Sequence, residues 1–549
     1  MREKCEISLI VGEIYNIDGN NNLRRRHMKV YKGNILTVNR NDDVFKYLVE
    51  DGGKIVFVGN ELPEKYASCE TVELGERALI PAFCDTHQHF ASFALFNAGL
   101  NVMEAKSNKE ILEMAKAFYR RSDAKTLIAF GASPYSVEEG RLVSREELDG
   151  VCPNKPFFMV KYDGHACVVN TVLLGQIEEK CKGLRGYHPA TGEMNQEAFF
   201  AVSDHITASI PVPELIKDMM LAVNYEASMG IGMVHSVSGV GFPKDLDIHM
   251  ETWFARGIDS GFQIRVFPQK FDAEKAKKFG LGRVGGCFQC ALDGCFGSKD
   301  AALLEPYSND SSNSGVLYYT DEQVTEFCKA ANRAGMQIEL HAIGDRAFTQ
   351  AAHAIKAALD DCPREDHRHG IIHACLTTEE SRKICADYHI QLPMQVSFDN
   401  WRQEPAEYTG EILGEKRNNS LNPVRTFKDL GCVIGFGSDG PCTDPNPIVW
   451  LYKAVNHSNE KERVSIQDAL RMSTYNGYWI SFDEKEHGSL EEGKIADMVI
   501  LSKNPYAIPS SELIDLRVEK TVLNGKDFSA EKGSFVRPIL KGIFSSKKA

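Results

Sequence analysis

The chain has 549 residues, 43% of them hydrophobic and 25% charged, and a formal net charge of −13. That length exceeds one average domain and leaves ample material for a large core. The acidic balance, with no long run of Lys or Arg, argues against nucleic acid as a main partner. No stretch of about 18 charge-free apolar residues is present, so no membrane span is expected.

From the N-terminus, residues 7–11, 33–38, 46–49 and 54–58 read as short strands, separated by turn signals at 18–22 and 51–53. They make a small β unit over residues 1–78. The apolar run 78–84 reads as a buried strand, and Asp85, His87 and His89 sit at its C-terminal end. Side chains two apart on a strand share a face, so His87 and His89 can converge on one cation. Seven more strand candidates follow, at 231–236, 263–268, 286–292, 337–342, 370–374, 389–395 and 432–439. Helical patterns alternate with them, the mark of an α/β fold. Eight parallel strands over residues 79–484 fit a distorted (β/α)8 barrel, also called a TIM barrel, whose chemistry sits at the C-terminal strand ends. His235, His341, His373, Gln395 and Asp439 fall there.

The interval 104–228, between the first two of these strands, is too long for a barrel connection. It reads as an inserted α/β subdomain acting as a lid. It carries helices near 108–120 and 212–229 and a strand ending in His165. Residues 485–549 return to β character, with strands ending near 501 and at 519–526. Neither terminal piece can bury a good core alone, so 1–78 and 485–549 are expected to form one discontinuous β-sandwich.

Fifteen cysteines are scattered without a repeating framework. Cys84, Cys167, Cys290 and Cys432 lie in apolar runs and read as small buried hydrophobes. Cys287 and Cys290 form a C-x-x-C, but no second pair stands at zinc-ribbon spacing, so the pair reads as structural. A thiol-rich chain suits a reducing compartment. The N-terminus lacks the apolar stretch of a signal peptide. Together these give a cytoplasmic expectation.

His87, His89, His341, His373 and Asp439 each stand at the end of an apolar strand. Neutral imidazoles and a carboxylate can hold a divalent ion while leaving a position open for water. Such an ion lowers the pKa of its water from 15.7 toward about 7. Asp439 could orient that water, take its proton and pass it to a leaving group.

At this point the chain resembles the amidohydrolase superfamily. Pro81 to His89, Asp163 to Asn170, Leu292 to Ser298, His341 to Ala347, Gly437 to Pro441 and Gly488 to Asp497 are together similar to its type 3 branch, which includes N-substituted formamide deformylases. The resemblance implies a metal-dependent hydrolase of non-peptide C–N bonds, mostly amides. By position it also implies His87, His89, His341, His373 and Asp439 at the metal.

Three positions depart from the family pattern. Gln289 stands where a Lys, four residues before the Asp of the Asp-Gly motif, is usual. A carboxylated Lys there bridges two ions in related enzymes, and an amide cannot do so. One ion per chain is therefore expected, zinc first and iron or manganese next. Its core ligands would be His87, His89, His341 and Asp439, with His373 as a ligand or a hydrogen-bonding partner. Ile372 and Ser236 replace the usual Glu and Asp. The three departures point to an unusual substrate or to impaired hydrolysis.

For the pocket, Gln289 is expected to face substrate. His165 is read either as reaching the barrel mouth or as a surface-turn histidine. Trp401 and Phe398 either line an apolar pocket or belong to the core. Asp85 either orients an imidazole or makes a turn. Asp345, four residues after His341, joins the substrate-binding candidates. The expected partner is a small molecule, and a homodimer is compatible with the chain. Two other functions stay open: deamination of an aminated heterocycle, and a non-catalytic sensor that kept the barrel.

Overall fold

The computed structural model describes residues 28–239, 242–530 and 536–549. The expected strand at 7–11 and the turn at 18–22 lie outside the described residues. The first strands are β1 (Lys29–Leu36), β2 (Val44–Asp51), β3 (Lys54–Gly59) and β4 (Glu70–Pro81). After Ala82 alone comes β5 (Phe83–Gln88). The apolar run 78–84 is thus two strands: its first half ends β4, and its second half opens the strand that carries His87.

The next six strands are β6 (Leu100–Asn101), β7 (Leu127–Ala132), β8 (Phe157–Lys161), β9 (Ala166–Val169), β10 (Tyr187–His188) and β11 (Glu193–Asn195). They form one mixed sheet in the order β10-β11-β9-β8-β7-β6. Alternating side chains bury its two faces separately. Leu127, Ala129, Phe157 and Met159 pack on the helix Asn108–Arg121 side. Phe130, Phe158, Val160 and Val169 pack against helices Thr171–Cys181 and Gln196–Ser209. Helix Val212–Ser228 instead buries Ile216, Met219, Met220 and Val223 in the main core. This separate layer therefore ends before that helix.

Eight parallel strands surround the main core. They are β5, β12 (Ile231–Ser238), β13 (Gln263–Pro268), β14 (Arg283–Ala291), β15 (Gln337–Ala342), β16 (Gly370–His373), β17 (Leu392–Met394) and β18 (Ile434–Phe436). The ladders run β5-β12-β13, β14-β15-β16 and β17-β18. Single parallel bridges, Gly370 to Gln391 and Gln88 to Gly440, link β16 to β17 and β18 to β5. Among the described residues no ladder joins β13 to β14, so the expected barrel does not close. At that gap β14 bends through Gly285 and Gly286, at φ 136° and 123°. Its register on β15 breaks between Gly286 and Ala291. A strand so bent turns its hydrogen-bonding groups away from one neighbour.

The last strands, β19 (Met498–Leu501), β20 (Val518–Leu523) and β21 (Lys526–Asp527), return to the N-terminal unit. β19 pairs antiparallel with β4, Met498 opposite Pro81 and Leu501 opposite Ala78. The result is one seven-stranded sheet, β21-β20-β19-β4-β1-β2-β3. β4 offers an edge on each side, and β1 and β19 take one each, joining the two terminal pieces edge to edge; Tyr31, Leu48, Leu79, Met498 and Val522 share one core within this unit. No helix among the described residues is long and apolar enough to cross a membrane.

Candidate metal centre

Four imidazoles, a carboxylate and a thiol meet at the C-terminal ends of β5, β14, β15, β16 and β18. His87 lies within β5, and His89 is the residue before helix Phe90–Asn97. Asp439 Oδ1 lies 3.2 Å from His87 Nε2 and 3.4 Å from His89 Nε2. The backbone fixes this meeting. Asp439 N–H donates to His87 O at 2.8 Å, and His89 N–H donates to Gly440 O at 2.9 Å. Close approach of the two strands requires Gly437, because a Cβ there would sit 2.7 Å from His87 N.

His341 ends β15. Its ring lies 4.5 Å from that of His373, nearly perpendicular at 79°. His373 and Ala374 both have left-handed backbone, at φ 72° and 51°. Such conformations cost about 1–3 kcal/mol each in non-glycine residues and persist where the surroundings enforce them. They turn the His373 ring to within 5.3 Å of His87. The sixth donor is Cys287, on β14. Its Sγ lies 3.3 Å from His87 Nε2 and 3.6 Å from His373 Nε2.

The donor atoms fall into two sets, each mutually within 4.8 Å: His87, His89, Cys287 and Asp439, and Cys287, His341 and His373. Every one of these residues is buried. A nitrogen, oxygen and sulfur set of this kind fits a borderline divalent cation. Burial pushes the His87 and His373 imidazoles below their ordinary value, toward the neutral form that can ligate. Burial opposes the charge on Asp439, but the imidazoles of His87 and His89 outweigh it and hold the carboxyl below the usual range. Burial, and then the charge of Asp439, push the Cys287 thiol well up.

Two buried carboxylates brace the donors. Asp293 accepts from the N–H groups of Ala302 (2.8 Å), Ile343 (3.0 Å) and Gly344 (2.8 Å) and lies 3.4 Å from His341 Nδ1. Asp85 accepts from His87 N–H at 3.2 Å, Ser438 N–H at 2.9 Å and the Ser438 hydroxyl at 2.5 Å. It thus ties β5 to β18 through the backbone rather than orienting an imidazole.

A cavity of about 1430 Å³ opens over the centre, with His89, Cys287, His341, His373 and Asp439 on its floor. His165, Gln289 and Trp401 all line it. Trp401 stacks on Phe398 at 4.9 Å. Gln289 is exposed there, its Nε2 3.4 Å from Gly239 O. Asp345 is not among the residues that line the cavity, and its Oδ1 accepts the Leu304 N–H at 2.9 Å. It is the first residue of a helix, Asp345–Asp361. His235 also fails to reach the site. Its ring packs 3.7 Å from Cys84 Sγ in the core, and burial pushes it down to about 3.

Sequence reasoning missed Cys287, Asp293 and Glu404. Cys287 stands two residues before Gln289 on β14, where the ladder to β15 is interrupted. Asp293 is the acidic residue of the Asp-Gly motif. Glu404 lines the cavity, accepts from Tyr162 OH at 3.0 Å, and is pushed by burial up to about 7. Nothing in its local sequence marks it.

A family model described as the amidohydrolase family matches residues 70–527. The chain belongs to the amidohydrolase family. Membership, in the type 3 branch, implies a hydrolase with a divalent metal cofactor. Among amidohydrolase relatives, the Bacillus subtilis protein YtcJ is 26% identical over 90% of this chain and 98% of its own. The N-substituted formamide deformylase of Arthrobacter pascens is 22% identical over 91% of this chain and 98% of its own. An uncharacterized metal-dependent hydrolase from Pyrococcus horikoshii superposes with a TM-score of 0.70, at 22% identity, over 88% of this chain and 99% of its own. This last likeness shows the fold, a TIM-barrel-like α/β architecture.

Proposed function

We propose that this amidohydrolase cleaves a non-peptide C–N bond, in an amide, formamide or cyclic amide, of a small molecule. The observation that carries the reading is Asp439, with one oxygen near His87 and His89, on the floor of a large cavity. A divalent ion held by His87, His89, His341, His373 and Asp439 would supply Lewis acidity, acidifying water and polarising the carbonyl.

The chain's own residues do the rest. Asp439, kept ionised by its neighbours, takes a proton from the attacking water and hands it to the leaving nitrogen. The water oxygen joins the carbonyl carbon, the C–N bond breaks, and the products are an acid and an amine. Asp293 keeps His341 aimed through its contact at Nδ1. Trp401, Phe398 and Phe288 give the cavity an apolar wall for a hydrophobic substituent. His165 and Gln289 supply polar contacts at that wall. A formamide as substrate is supported by the deformylase among the relatives.

The test is a panel of amides, formamides and cyclic ureides, run with metal-loaded protein and with Asp439→Asn. Release of amine and acid by the wild type, lost in the variant, is expected. No turnover of any member, with the variant behaving identically, would remove the reading. Ammonia from an aminated heterocycle would replace it with deamination.

A further inference from the structure

We propose that the thiolate of Cys287 is a ligand shared by two adjacent cation positions, one completed by His87, His89 and Asp439, the other by His341 and His373. The inference rests on the metal-hydrolase reading above and replaces its expectation of a single ion.

The two donor sets have one member in common, and that member is Cys287. Its sulfur faces the Nε2 of His87, from one set, at 3.3 Å and the Nε2 of His373, from the other, at 3.6 Å. The thiol therefore lies between the two sets. It is 7% exposed, at the cavity floor. Gln289 is exposed on the same strand, and its amide nitrogen lies by Gly239 O, so it does not compete for the centre.

The chemistry suits the place. A thiolate sulfur has more than one lone pair directed outward, so a single atom can serve two cations. Soft sulfur beside imidazole selects zinc, iron or cobalt over magnesium or calcium. On binding, the S–H bond breaks, its proton leaves to solvent, and the sulfur lone pair goes to the metal. Thiolate and Asp439 together then bring two negative charges to two dications. The first position has four protein donors. The second has three, which leaves room there for water or substrate.

The test uses full-length protein freed of metal with a chelator, kept reduced, and titrated with cobalt(II). Three readouts are taken: cobalt per chain, the near-ultraviolet sulfur-to-cobalt charge-transfer band, and alkylation of Cys287 followed on its peptide by mass spectrometry. Two cobalt ions per chain, a charge-transfer band, and cobalt protection of Cys287 are expected. Cys287→Ser, with unchanged circular dichroism, should lose the band and at least one ion. The alkylation readout needs no variant, so a misfolded Cys287→Ser leaves the proposal decidable. Cobalt bound without a band, or with Cys287 equally alkylated, overturns the thiolate ligand while sparing the hydrolase reading. One ion with a Cys287-dependent band overturns the sharing. Absence of cobalt binding altogether overturns both.

Discussion

The backbone N–H of Asp439 donates to the carbonyl oxygen of His87 at 2.8 Å, while the Asp439 carboxylate lies 3.2 Å from the His87 ring. One pair of residues thus joins β18 to β5 and builds the centre between them. Replacing the carboxylate leaves the backbone bond in place. Asp439→Asn should therefore fold normally and lose about 10²–10⁴-fold in kcat, the usual worth of a positioned acid–base group. Steady-state kinetics beside a thermal melt checks this. Chelation of the wild type should abolish turnover, and added zinc should restore it.

The same junction depends on Gly437. A methyl group there would press on His87 N from 2.7 Å, against backbone that cannot move aside cheaply. Gly437→Ala should destabilise the protein by about 1–3 kcal/mol, as overpacking does. It should also weaken metal binding, because His87 and Asp439 shift together. Urea unfolding and a metal titration measure the two effects.

Asp293 accepts three backbone N–H groups and faces His341. Asp293→Asn keeps the shape but removes the negative charge. Metal affinity should fall about 10–100-fold, the range for losing a partner that orients a ligand. Competition with a chromogenic chelator reads this directly. Unchanged affinity would show that His341 is aimed by packing alone.

Glu251 is buried and accepts from the hydroxyls of Ser236 and Ser238, both at 2.5 Å, and from Ala91 N–H at 3.1 Å. Burial pushes its carboxyl up to about 8, against 4.5 for the free group. The folded state therefore binds the proton more tightly than the unfolded one. Its contribution is fully present below about pH 4.5 and is lost as pH rises through about 8, at no more than about 1.4 kcal/mol per pH unit. Glu251→Gln should flatten the fall in unfolding free energy between pH 5 and pH 8, a window set by those two values. Denaturant melts across that range test it. An equal slope in both proteins would show that another group titrates.

The strands that carry the centre were legible because each is a short apolar run closed by a polar residue. β12, β13 and β15 lie where alternation and β-branched content place them. The strings around His87, His341 and Asp439 offered four candidate ligands and the end of β16 a fifth, His373; the structure brings all five together with Cys287. That the two terminal pieces share one unit was expected, but the pairing of β4 with β19 that joins them was not legible, since it spans most of the chain and leaves no local pattern. The place of Asp345 beside Leu304 was not legible, because spacing from His341 says nothing about which backbone group a helix's first residue meets.

The sequence by itself determined the α/β alternation and offered five of the six side chains that cluster at the centre, because ligand chemistry and hydrophobic period are local properties. Only the tertiary structure decided that Cys287 lies among these side chains, that Asp293 lies beside His341, and that Glu404 reaches the cavity. Those relations depend on how β14 bends at Gly285 and Gly286 and on which side chains a distant strand end meets. Such proximity is created by packing and has no signature in the residues taken one stretch at a time.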